Sequence, residues 1–137
     1  MLPLPHRRHW RIASIVLLVL VLAATMSPAI WFFDSRAKAL LWFHHADKWM
    51  HGITFMFLAA WFSGLYPRRN WLPVAVGLTA FGFVVEGCQL LVSYRTADWF
   101  DIAANTTGII VGLALAAAGL GGWALRVENW LRERQAT

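Results

Sequence analysis

WLPVAVGLTAFGFVVEGCQLLV, residues 71–92, carries a single charged side chain, Glu86, in an otherwise apolar run. At about 1.5 Å per residue, such a stretch spans the roughly 30 Å hydrocarbon core of a bilayer as one helix. Residues 12–33, 49–66 and 102–125 have the same character. The reading is therefore an all-α, membrane-embedded four-helix bundle, one domain over residues 1–137, with both termini on the same side. Pro28 falls late in the first span and is expected to kink it. Pro67 and Pro73 bracket the turn between spans two and three, where a missing backbone donor costs little.

Composition excludes a soluble globule: 59% of the residues are hydrophobic and 14% charged, and the mean hydropathy is +0.54. Nine Trp residues supply amphipathic rings, and Trp10, Trp31, Trp49, Trp71, Trp99 and Trp123 sit near span ends, as an interfacial belt requires. The net charge of +5 does not indicate nucleic acid, because the basic residues form short clusters between apolar runs. They report orientation instead. Arg7, Arg8, Arg11, Arg68, Arg69, Arg126, Arg132 and Arg134 lie on one side of the spans, against Arg36, Lys38, Lys48 and Arg95 on the other, so the first side, with both termini, is expected to be cytoplasmic.

A basic stretch at residues 6–11 followed by apolar residues 12–24 also has the form of a secretory signal, yet the apolar run continues to Phe33, as a retained span would. Cys88 lies alone inside a span and reads as a small core residue. Residues 37–43 read as a short interfacial helix within the connection 34–48, and residues 126–137 as a solvated amphipathic end.

An ionisable group at membrane depth costs about 2.5–3.5 kcal/mol on insertion scales, so each is a functional candidate whose partners should lie at the same depth. Counting from Leu72, Glu86 lies about 21 Å into its span, roughly 9 Å below the outer boundary, with Gln89 one turn shallower. His51 lies about 6 Å below the same boundary, one turn from Asp47. Asp98, Asp101, Asn105 and Gly108 form one helical stripe, which Gly112, Ala116 and Gly119 extend as a small-residue packing face. Three helices thus deliver polar groups to one layer near the outer face.

The ordered blocks Asp47-Lys48-x-x-His51-x-x-x-Phe55, Glu86-x-x-Gln89 and Arg95-x-x-Asp98-x-x-Asp101-x-x-x-Asn105-x-x-Gly108 resemble the VanZ-like family of small bacterial membrane proteins. The resemblance implies a multi-pass protein of the bacterial cytoplasmic membrane, acting in the cell envelope. It also implies a link to resistance against the glycopeptide teicoplanin, the property that gave the family its name.

Several readings of the polar layer compete. As a structural clamp, the nine groups Asp47, Lys48, His51, Glu86, Gln89, Arg95, Asp98, Asp101 and Asn105 exceed what packing needs, since interhelical hydrogen bonds in membranes average about 0.6 kcal/mol. As a binding site, Lys48 and Arg95 would hold the phosphate of an envelope lipid or lipid-linked precursor, with Asp47, Gln89, Asp98 and Asn105 around it. Ion pairing of Arg95 with Asp98 or Asp101 is an equal alternative for that residue. As an enzyme, Glu86 would be general acid or base, His51 its proton partner and Asp101 the group orienting the imidazole. No Ser, Cys or Thr stands in an activated nucleophile motif.

No cofactor is expected. A metal set of His51, Asp47, Glu86 and Asp101 lacks a compact ligand motif along the chain, and His44 and His45 read as interface residues or adventitious ligands. A transporter would need more spans or an oligomer, and the oligomeric state stays open.

Overall fold

The computed structural model describes residues 1–26, 36–91 and 99–135, with the backbone alone for 36–47 and 135. These residues form α1 (Arg7–Met26), α2 (Arg36–Leu65), a 3₁₀ turn at Arg68–Asn70, α3 (Trp71–Gln89), α4 (Trp99–Leu115) continuing into a π-helical segment at Ala116–Leu120, and α5 (Trp123–Gln135). No strand occurs among the described residues. Among the described residues, three helical segments are long and apolar enough to cross a membrane: Arg7–Met26, Arg68–Gln89 and Trp99–Leu120. Their outward faces are apolar as well, with Ile15, Val19, Leu72, Val76, Phe83 and Ile110 exposed. A continuous apolar exterior on satisfied helical backbone is the arrangement a bilayer demands. The chain is an all-α membrane protein.

Two boundaries differ from those expected. Residues 37–43 belong to α2 itself, a continuous 30-residue helix, because no proline interrupts the chain from Arg36 to Leu65. The fourth span ends early: Gly119 (φ 141°) and Gly122 (φ 70°) take positive φ, which glycine adopts at little cost. Helix α4 stops there, and Trp123, Ala124 and Leu125 open α5 rather than close the span. The small-residue stripe accordingly holds through Gly108, Gly112 and Ala116, all buried, and fails at Gly119. Pro28 and the end of the first span at Phe33 lie outside the described residues.

Helices α2 and α4 share the most extensive contact in the molecule, and it is made at backbone distance. A Cβ on Gly108 would lie 2.1 Å from the Gly52 carbonyl oxygen, and one on Gly112 would lie 2.4 Å from that of Met56. Small residues permit this approach, and dispersion across it replaces the hydrophobic drive that lipid withholds from helix association. Around the seam pack Phe55, Leu58, Ala59, Leu78 and Ile109, with Leu17, Leu18 and Val21 of α1 against them.

The broken end of α4 is held by arginines. Arg68 Nη2 donates to Ala117 O (3.0 Å), and Arg126 donates to Gly121 O and Gly119 O (3.0 Å each). Cationic donors on the last carbonyls of a helix satisfy orphan acceptors and complement its dipole.

Gly108→Ala should lower stability by about 1–3 kcal/mol, since the added methyl can be accommodated only by separating α2 from α4. Gly77→Ala, where a Cβ meets nothing within 4 Å, should be neutral or slightly stabilising. Unfolding of the purified variants in mixed micelles measures both, and equal effects would contradict the seam.

Candidate functional site

The register of α2 against α4 decides which side chains meet. With Gly52 against Gly108, the adjacent His51 of α2 meets Asn105, and about one turn further Lys48 meets Asp101. The His51 Nδ1–Asn105 Oδ1 distance is 3.1 Å, and Lys48 Nζ lies 3.6 Å from Asp101 Oδ1. Helix α3 adds Glu86. One ring nitrogen of His51 and one carboxylate oxygen each from Glu86 and Asp101 lie within 4.8 Å of one another. His51, Glu86, Asp101 and Asn105 are all at most 5% exposed. Lys48 is partly exposed, and its ammonium lies over the Phe100 ring at 5.3 Å. The lysine therefore forms the rim of the cluster, and the other four groups its floor.

An amide oxygen can only accept, so in this contact His51 Nδ1 donates to Asn105. Asn105 orients the ring at Nδ1, and Asp101, expected to orient the imidazole, lies close to it in the same cluster. Two carboxylates this close and this deeply buried require compensating positive charge. Lys48 supplies some of it. The arrangement is suited to moving a proton between imidazole and carboxyl, and His51, Glu86 and Asp101 are the residues that could hold a metal ion.

The other expected site residues divide. Gln89, 1% exposed, donates through Nε2 to Thr25 O of α1 (3.4 Å) and so ties α1 to α3 at this end. Arg95 and Asp98, and the side chains of Asp47, His44 and His45, lie outside the described residues. Trp49 and Trp99 are exposed near the cluster end, as a belt requires, whereas Trp10 and Trp123 turn inward; Trp31 lies outside the described residues. Cys88 is half-buried. A groove of about 350 Å³ between α1, α2 and α3, lined by Leu18, Phe62, Val74, Leu78 and Phe81 among others, contains none of the cluster residues.

These features define a helical membrane protein with a buried ionisable cluster at one end of its helices. Residues 5–120 match the VanZ/LLP1 family, and the chain belongs to that family. The matched region holds every residue of the cluster. No curated protein and no solved structure matches the chain.

A third buried acid, remote from the first two, is absent from the sequence reading. The tail was expected to be solvated, yet Glu128 of α5 is 3% exposed. Its Oε1 accepts hydrogen bonds from Trp10 Nε1 (2.6 Å) and the His6 amide (3.2 Å), with His6 Nδ1 at 3.7 Å. Trp10, Trp61 and Trp123 pack ring to ring beside it, and Leu2 N donates to Leu65 O (2.8 Å). The N-terminal segment and α5 are thus latched together at the end of the helices remote from His51. The signal in the sequence was the Gly119-Leu-Gly-Gly122 run, which frees α5 from the span and lets Glu128 fold back. Glu128→Ala leaves two donors without their acceptor and should cost about 1–3 kcal/mol. Thermal unfolding in detergent measures this, with surface Glu133→Ala as the unchanged control.

Proposed function

We propose that this VanZ/LLP1 protein receives the head group of an amphipathic, phosphate-bearing envelope lipid at the cluster end, in the outer leaflet of a bacterial cytoplasmic membrane. The observation that carries the reading is the graded site, in which a partly exposed lysine stands above a buried His51–Glu86–Asp101 group. Lys48 offers an ammonium donor at the rim, where a phosphate would arrive, and the exposed Trp49, Trp99 and Phe100 beside it suit the interfacial layer in which lipid head groups lie. The four-span topology with cytoplasmic termini is part of the proposal. It is supported by the contacts that bring the N-terminal segment, Arg68, Arg126 and α5 to one end and the cluster to the other. The teicoplanin association of the family points to a lipid-linked envelope precursor as the partner class.

A second reading, acid–base chemistry on the bound head group, is favoured by the distances within the cluster. Nδ1 is committed to Asn105, so the basic nitrogen Nε2 is the one that can exchange a proton with a carboxyl or a substrate. In this reading Glu86 and His51 act on the lipid and Lys48 positions it.

Native mass spectrometry of the gently purified protein with its co-purifying lipids separates these readings. Retention of one phosphate-bearing lipid by the wild type and its loss in Lys48→Ala are expected for recognition. If the cluster is also catalytic, Glu86→Gln retains a lipid of different mass, the unreacted substrate. All variants are expected at wild-type membrane abundance. Equal retention in every variant would contradict the lipid reading, and parallel loss of abundance and lipid would make the cluster a structural clamp.

A further inference from the structure

We propose that His51, Glu86 and Asp101 form a binding site for a single divalent transition-metal ion, with zinc the natural probe. Spacing along the chain gave no ligand motif, because the three groups come from three different helices and meet only in the fold. Three ligand atoms no more than 4.8 Å apart surround a point about 2.8 Å from each, and side-chain adjustments of roughly 0.7 Å bring this to zinc–nitrogen and zinc–oxygen distances near 2.1 Å.

Two further observations support an ion. The His51 ring places its Nδ1 proton on Asn105 Oδ1 at 3.1 Å, the outer-shell bond that directs the Nε2 lone pair of a metal-ligating histidine toward its ion. The Asn105 Nδ2 group, in a residue 2% exposed, has no hydrogen-bond partner among the described residues, so the amide is held at this place for its oxygen. The donor set of one imidazole and two carboxylate oxygens suits zinc or manganese rather than a thiolate-seeking ion. Three protein ligands leave a coordination position for an anionic oxygen. The site does not depend on the lipid reading, and its test reads metal rather than lipid.

Protein purified in detergent, stripped with a chelator and titrated with Zn²⁺ by calorimetry should bind one ion per chain with a dissociation constant in the micromolar range or below. His51→Gln and Glu86→Gln should each weaken binding by at least about 100-fold, and Asn105→Ala, which removes only the outer-shell bond, by about 10–100-fold. The double variants His6→Gln/His9→Gln and His44→Gln/His45→Gln should bind as the wild type does. Zinc absorption spectroscopy of the wild type, which requires no variant to fold, should show a nitrogen and oxygen shell near 2.1 Å with one imidazole. Failure to bind zinc at stoichiometry, binding abolished by the His6/His9 or His44/His45 changes instead, or a sulfur ligand near 2.3 Å from Cys88 would each overturn the site.

Discussion

The backbone contact of Gly108 with the Gly52 carbonyl fixes the translation and rotation of α4 against α2, and the polar chemistry of the protein follows from that register. Toward Lys48, His51 beside Gly52 meets Asn105, and one turn further Lys48 meets Asp101. Each turn the other way brings only small or apolar groups together, Met56 and Ala59 to Gly112. A displacement of α4 by one turn, about 5.4 Å, would place Asn105 against Lys48 and remove the imidazole from its acceptor. Packing and site geometry are therefore one constraint, and the glycines of α4 serve the cluster by setting its register.

The molecule has two unlike ends. At one, buried charge is gathered beneath a partly exposed lysine, with Gln89 tying α1 to α3 beside it. At the other, Glu128 and three indole rings lock the N-terminal segment to α5, and Arg68 and Arg126 cap the broken end of α4. The second end is built for permanence, because its buried carboxylate accepts directed N–H donors and its rings meet edge to face. The first holds more charge than cohesion needs, which is the physical ground for assigning function to that end.

Most of this was legible in the amino-acid sequence where periodicity and rise per residue suffice. Long apolar runs gave the helices. Depth arithmetic placed His51, Glu86, Asp101 and Asn105 in one layer, because a helix converts residue number into distance along a membrane normal. The Gly108–Gly112–Ala116 stripe gave the packing face. Events set by single backbone angles or by folding back were not legible. Positive φ at Gly119 and Gly122 ends α4 inside a run that hydropathy reads as continuous, and only then can Glu128 leave solvent for Trp10. Nor could spacing show that Asn105 meets Nδ1 of His51: Asp101 and Asn105 are one turn apart on the same face, and the register of α2 brings Asn105 to that nitrogen. The same limit left the set of His51, Glu86 and Asp101 without a motif along the chain, since its members are close only across three helices.

The central claim is that His51 and Glu86, carried by different helices, act as one electrostatic unit. A double-mutant cycle tests it most directly: unfolding free energies in mixed micelles for the wild type, His51→Gln, Glu86→Gln and the double variant, all under metal-depleted conditions. A coupled pair predicts an interaction energy of about 0.5–3 kcal/mol, the double variant losing clearly less or more than the two single changes combined. Additive effects, to within about 0.3 kcal/mol, would mean that the two groups do not sense each other, and would contradict the account.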